Sequence, residues 1–296
     1  MKEYTFPELT PPAVDSPDLR PPAVVNKDDV EGMVLFPEGG GITKYLLTEE
    51  TAGCKHINMG VFLADPGQGS QWHTHPQETE EEEFLYILNG KGTMYYKQGD
   101  KDHEIKFKEG DAIFTGHLTH YLKNTGTETL EIYFSISPLP VKTIIYGIKN
   151  DEGHGYVDSE DLKPPQLIQP GDVEEIMVFP EGGAKNRRLL NPDTVGCKYG
   201  RLGTYLAESG YGSTWHTHPL DVEEEDLFYI ASGKGTMIYL QGGKVHIFEF
   251  KEGDAIHSHH LTNYTINTGT EDTFIPVVGA PNPVSTIRHE GDLLPL

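Results

Sequence analysis

The sequence predicts an all-β protein built as two tandem barrels or sandwiches with extended arms, and three observations support it. Short runs rich in β-branched and aromatic residues are broken by Gly, Asn and Asp at intervals that suit strands and turns. No segment sustains the 3.6-residue apolar period of a helix. The chain is also written twice: His73 and His216 lie 143 residues apart, as do Cys54 and Cys197, Gly90 and Gly233, Gly110 and Gly253, and Asn124 and Asn267. The register holds without a gap from Val14-Asp15-Ser16, matched by Val157-Asp158-Ser159, to Thr143-Ile144, matched by Thr286-Ile287. A duplication of 296 residues implies two domains, expected at 1–148 and 149–296, each of a size that suits one barrel or sandwich.

Each unit opens on a proline-rich stretch, Leu19-Arg20-Pro21-Pro22 and Leu162-Lys163-Pro164-Pro165. Proline lacks the amide that a helix interior or a central strand needs, so these stretches read as extended arms. Phe36-Pro37-Glu38-Gly39-Gly40 is then matched by Phe179 to Gly183. Hairpin turns are expected at Asn89-Gly90-Lys91-Gly92 and Gln98-Gly99-Asp100, and at their partners Ser232-Gly233-Lys234-Gly235 and Gln241-Gly242-Gly243. Cys54 and Cys197 are the two cysteines, and neither sits in a CxxC pair. They are expected as small buried hydrophobes, with a disulfide between them as the alternative.

The formal charge of -23 argues against nucleic acid, because phosphate binding needs clustered Lys and Arg. An anionic small molecule stays open where a metal reverses the local field. The start, Met1-Lys2-Glu3-Tyr4-Thr5-Phe6-Pro7, lacks the apolar core of a signal peptide, and no later segment approaches the length of a membrane span. A cytoplasmic protein that does not enter membranes is the expectation.

The chemistry centres on Trp72-His73-Thr74-His75-Pro76. Alternate residues of a strand share a face, so His73 and His75 point one way and Trp72 and Thr74 the other. Glu83 opens an apolar run, and His120 follows a second strand-like segment. Three imidazoles and a carboxylate suit a first-row divalent metal, with room for water or substrate if the ion is octahedral. The stretch recurs as Trp215-His216-Thr217-His218-Pro219.

Around this set, Glu80, Glu81 and Glu82 in the acidic run Glu78 to Glu83 read as a solvated loop, like the matched run Asp221 to Asp226. Trp72 and Trp215 are expected to pack an outer sheet face or an interface, and Tyr86 and Tyr229 to lie in the core. His103 and His246 read as strand or hairpin residues without chemistry. For His117 and His260, both a place at the cavity mouth and a hydrogen bond that stabilises a turn are open. Arg187, Arg188 and Arg201 stand where the first unit has Lys44, Tyr45 and Asn58. They mark either a difference in ligand or ordinary surface.

These residues resemble the cupin superfamily, and the duplication makes the chain resemble a bicupin. Gly67, His73, His75, Glu83 and Gly90 follow the first cupin motif, with a longer spacer between His75 and Glu83. Gly110, Thr115, His117, His120 and Asn124 follow the second; they keep its His and Asn spacing, lose its Pro and Gly, and shorten the loop by one residue. The resemblance implies two double-stranded β-helix (jelly-roll) barrels and a full ligand set, His73, His75, Glu83 and His120, in the first. In the second it places His216, His218 and Asp226, with Asn263 in place of the last His, and so a weaker site that His257, His259 or His260 could rescue.

One divalent transition metal per chain is implied, Fe, Mn, Ni, Cu or Zn, and two if the second barrel also loads. The implied function is that of a metal-dependent enzyme acting on a small carbonyl, enol or phenolic substrate. Dioxygenase-type cleavage is preferred, by its frequency among metal-binding cupins. The alternatives are a non-redox hydrolase, isomerase, lyase or decarboxylase, and a non-catalytic ligand-binding or storage bicupin. A homodimer paired through sheets and arms is the implied assembly.

Overall fold

The computed structural model describes residues 4–147, 155–283 and 285–294. Strands dominate it, and α-helix is confined among the described residues to two single turns, Glu49–Ala52 and Pro192–Val195. No described helix is long and apolar enough to cross a membrane.

The first barrel is made of two antiparallel sheets. One runs in the order Gln166–Ile168, Ala112–Thr115, Glu82–Asn89, Leu130–Ser137, Asn58–Ala64 and Ile42–Leu47. The other runs Ile144–Ile145, His73–Thr74, His120–Asn124, Lys91–Gln98 and Lys101–Lys108. Most neighbours in space are not neighbours in sequence, which is the mark of a jelly roll. Leu85, Ile87, Ile132 and Phe134 from the first sheet pack with Met94, Phe107 and Leu122 from the second. Because strand side chains alternate, Glu83 shares the inward face of Leu85 and Ile87. Truncating the fully buried Ile87 to Ala would cost about 2–5 kcal/mol.

The second barrel repeats the plan. Its larger sheet runs Ala23–Asn26, Asp254–His257, Glu225–Tyr229, Thr273–Ala280, Arg201–Ala207, Ala184–Leu190 and Ile176–Phe179. Its smaller sheet runs Lys244–Lys251, Lys234–Gln241, Asn263–Asn267, His216–Thr217 and Ile287–Arg288. Tyr205, Ile230, Met237, Phe250 and Ile275 form its core.

The arms alter the expected division at 148/149, a boundary that itself lies outside the described residues. The compact units are not sequential halves: one is Met1–Asn26, Glu174–Arg187 and Gly203–Leu296, and the other is Lys27–Val173 with Arg188–Leu202. Ala23–Asn26 adds an antiparallel strand to Asp254–His257, and Gln166–Ile168 adds one to Ala112–Thr115. An extended arm has no core of its own. It gains backbone partners by completing a sheet edge, and here that edge belongs to the other repeat's barrel.

The turn expectations divide. Gln98 pairs with Lys101 and Gln241 with Lys244, so these are hairpins as expected. Asn89 to Gly92 is instead a corner, because Glu82–Asn89 and Lys91–Gln98 lie in different sheets. The left-handed φ of 86° at Gly90 makes the chain change sheet there.

Neither cysteine is in a disulfide and both are buried, and burial, followed by the charge of Glu82, pushes the Cys197 thiol up to about 12. Trp72 and Trp215 face away from the cavity: each meets a tyrosine edge-on at 4.5 Å, Tyr121 and Tyr264 respectively. His103 and His246 stack flat on Tyr96 and Tyr239 in the hairpins. Tyr86 and Tyr229 are buried, as expected.

Candidate metal centre

In the first barrel, His73 pairs directly with His120 across adjacent strands, and Glu83 sits opposite Thr115 in the facing sheet. His75 lies just beyond the short strand His73–Thr74, where Pro76 ends the pairing. The ligand atoms of His73, His75, Glu83 and His120 all fall within 4.8 Å of one another, and all four residues are buried.

Each imidazole is held from behind. His73 Nδ1–H donates to the Gln71 carbonyl at 2.7 Å, His120 Nδ1–H to the Leu118 carbonyl at 2.8 Å, and His75 Nδ1–H to Glu81 Oε2 at 3.1 Å. These bonds fix the tautomer and leave three Nε2 lone pairs turned into the cage. His75 Nε2 is buried without a hydrogen-bond partner. Glu83 Oε2 accepts from the Thr115 hydroxyl at 3.0 Å and lies 3.4 Å from His120 Nε2 and 3.8 Å from His75 Nε2. An orphaned imidazole nitrogen beside two tethered ones and a carboxylate suits a divalent ion.

The electrostatics agree with that reading. Burial and then the nearby His120 push His73 down to about 3, so its ring is neutral. Burial alone would lower His75, but its hydrogen bond to Glu81 and the nearby carboxylate of Glu83 outweigh it and hold the ring at about 9. Burial opposes ionisation of Glu83, yet the His120 and His75 bonds keep its carboxyl well below the usual range. The cage is thus anionic on its carboxylates and ready to exchange a proton for a metal.

Glu81 corrects the expected solvated loop. It is fully buried, with one oxygen on His75 and the other accepting from the Lys142 amide at 2.6 Å. Glu82 is buried too, accepting from the amides of Lys198 and Tyr199 at 2.7 and 2.8 Å. Glu80 alone fits the expectation of exposure, and its left-handed φ of 52° turns the chain inward. The one available signal was the repeat, since Glu224 stands 143 residues after Glu81. His117 makes the turn hydrogen bond, its Nδ1–H donating to the His75 carbonyl at 2.9 Å, and His260 does the same to His218 at 3.1 Å.

The second barrel keeps the scaffold and loses the cage. His216 Nδ1–H donates to the Thr214 carbonyl at 2.8 Å, and Asn263 Nδ2 donates to the Leu261 carbonyl at 2.9 Å, as His120 does in the first. The Asn263 Oδ1 is then buried without a partner. Asp226 Oδ2 lies 3.1 Å from His218 Nε2 and Glu224 Oε1 2.9 Å from its Nδ1, which also meets the Ser285 carbonyl at 3.2 Å. The group within 4.8 Å is accordingly His218, Glu224 and Asp226, and His216 lies outside it. Of the expected set His216, His218, Asp226 and Asn263, His218 and Asp226 share the cluster with Glu224, while His216 pairs with Asn263 across adjacent strands and stands 5.5 Å, ring to ring, from His218. Two carboxylates thus flank opposite edges of the His218 imidazole. His257 stacks on His259 at 3.6 Å and faces Glu225 at 4.0 Å, and His260 is tied to the His218 carbonyl. None of the three joins the cluster.

A cavity of about 40 Å³ reaches His73, His75 and Glu83 in the first barrel. Phe36, Phe62, Leu85, Ile132 and Phe134 wall it. Arg187 instead pairs with Glu175 at 2.8 Å and Arg188 is exposed, so for these two the surface reading holds.

Residues 60–136 match the Cupin domain family model. Protein SchB of Streptomyces halstedii is 29% identical over 122 residues, covering 41% of this chain and 78% of that protein. The tetracenomycin polyketide synthase protein TcmJ of Streptomyces glaucescens is 26% identical over 132 residues, covering 44% and 78%. Among solved structures, the oxalate decarboxylase of Bacillus subtilis superimposes with a TM-score of 0.69 at 15% identity, covering 90% of this chain and 78% of that one. The oxalate decarboxylase of Lactobacillus farciminis gives 0.68 at 13%, covering 90% and 88%. At such identities the structural likeness speaks for the fold: residues 60–136 carry the cupin domain, and the chain has the fold of proteins built from two tandem cupin barrels.

Proposed function

We propose that the chain is a metal-dependent enzyme whose first barrel takes a small carbonyl, enol or phenolic substrate at an ion held by His73, His75, Glu83 and His120. The convergence of three backed imidazoles and one carboxylate on an apolar cavity carries this reading. A divalent ion there supplies a Lewis acid that polarises a bound oxygen. The chain's own groups do the rest: Glu81 and the Gln71 and Leu118 carbonyls orient the rings, Thr115 steadies Glu83, and the Phe36, Phe62 and Phe134 walls exclude water.

Two of the similar proteins, TcmJ and CurC of Streptomyces cyaneus, are named for polyketide synthases. Polyketides are chains of alternating ketones that fold into phenols, which supports the carbonyl and phenol class. Proton movement on such a substrate needs no oxidant, so non-redox chemistry is the branch favoured here. The donor set also suits redox-active iron, manganese, copper or nickel, and on it the dioxygenase branch rests.

Metal content per chain, measured on protein purified without added metal, tests the reading with His73→Ala and His216→Ala alongside. One ion lost only with His73→Ala is expected; no ion in the wild type would leave a ligand-binding bicupin. Turnover of a β-diketone or phenol panel under strict anoxia would remove the dioxygenase branch, whereas stoichiometric oxygen uptake would restore it.

A further inference from the structure

Two hydroxyls in the first barrel's cavity have no hydrogen-bond partner among the described residues. Thr43 and Tyr45 are two residues apart on the strand Ile42–Leu47, so their side chains leave the same face, and both line the cavity that reaches His73, His75 and Glu83. Thr43 is 2% exposed, and its Oγ1 has no hydrogen-bond partner. A buried hydroxyl left unpaired costs free energy, and a ligand oxygen in the same cavity would remove that cost. The Tyr45 ring stands edge-on to Phe134 at 5.4 Å, which holds it in the cavity wall. Burial, and then the charges of Glu83 and Glu81, raise its phenol, so the group stays protonated and can donate.

The rest of the lining narrows what the hydroxyls receive. No Lys or Arg lies among the cavity's residues, and the walls are mostly aliphatic and aromatic. A small dicarboxylate would bring two negative charges that the ion, already carrying Glu83, would have to meet without a Lys or Arg beside it. An oxygen on an apolar carbonyl, enol or phenol body needs only a donor. The second repeat has Asn186 and Arg188 at the matched positions, and Arg188 is exposed, so the hydroxyl pair belongs to the first barrel alone.

We infer that Thr43 and Tyr45 form a polar anchor that donates hydrogen bonds to a substrate oxygen in the first barrel, selecting carbonyl, enol or phenolic compounds over dicarboxylates. The inference rests on the functional reading above and assigns the residues that set its substrate class.

The test measures the binding of acetylacetone and of oxalate by calorimetry, on protein whose metal content has been determined. Tyr45→Phe and Thr43→Val remove one hydroxyl each and keep the side-chain volume, and Thr43→Ser keeps the hydroxyl. The wild type is expected to bind acetylacetone more tightly than oxalate. Tyr45→Phe and Thr43→Val should each weaken acetylacetone binding by about fivefold, the size of one neutral hydrogen bond, with metal content unchanged. Thr43→Ser should bind as the wild type does.

Equal acetylacetone affinity in the wild type and both deletion variants would overturn the anchor. Oxalate bound as tightly as acetylacetone, or no acetylacetone binding by the metal-loaded wild type, would overturn it as well. If the wild type retains no metal, the functional reading fails on its own. The anchor is then decided by acetylacetone binding to the metal-free protein and the same variants, where absent binding or equal affinities overturn it.

Discussion

The two barrels share a scaffold and differ in what it holds. In both, the first imidazole of the His-x-His pair is tethered to a backbone carbonyl two residues earlier, and an imidazole from the shortened loop pins the carbonyl of the second. In both, a buried glutamate stands behind the second imidazole. The difference lies in Glu83 against Asp226 and His120 against Asn263. With the longer pair, four ligand atoms gather into a cage; with the shorter pair, Asp226 closes on His218 and His216 is left out. The orienting layer is therefore a property of the fold, whereas the capacity to chelate depends on the reach of two side chains.

Exchanging those two residues should produce the largest effect. Glu83→Asp with His120→Asn is expected to empty the first barrel, and Asp226→Glu with Asn263→His to raise the content by one ion per chain, both read by elemental analysis. If neither exchange moves the stoichiometry, reach is not what separates the barrels. Glu81→Ala should come next. Losing the partner of His75 Nδ1 is expected to weaken metal binding about 10–100-fold, measured by competition with a chelator, while the protein stays folded.

The neighbouring Glu82 sharpens the same comparison from the structural side. Glu82→Ala removes the acceptor of the Lys198 and Tyr199 amides and should lower stability to denaturant by about 1–2 kcal/mol, with metal affinity unchanged. The smallest effect expected is a pH dependence. In the metal-free chain the His75 ring is held at about 9, above its ordinary value, so its protonation stabilises the fold below the unfolded value of roughly 6.5 and that contribution fades as pH rises through about 9. A metal must displace that proton, so apparent affinity should rise about tenfold per pH unit between 7 and 9 and level off above, as titrations at several pH values would report. His73, already neutral, adds nothing to that slope.

Most of the first site could be read before any fold was known. His73 and His75 share a face because strands alternate, and the spacing of the two cupin motifs singled out Glu83 and His120. The run Glu80 to Glu82 could not be read this way. Consecutive acidic residues look solvated, and only the turn at Glu80 sends Glu81 behind His75 and Glu82 onto the Lys198 and Tyr199 amides. Thr43 and Tyr45 were equally hidden, since a hydroxyl in a cavity and one in a packed core have the same local pattern.

By itself the sequence determined the periodic features: strand after strand, the duplication, the proline-stiffened arms, and the spacing of the imidazoles. These depend on local backbone preference and on the alternation of side chains, which act within a few residues. Only the tertiary structure decided which sheet each arm completes, that Asn89 to Gly92 is a corner, and which carboxylates are buried. It also decided that Glu224 joins His218 and Asp226 in the second barrel's cluster. Those outcomes turn on distances between segments far apart in the chain, which local backbone preference does not set.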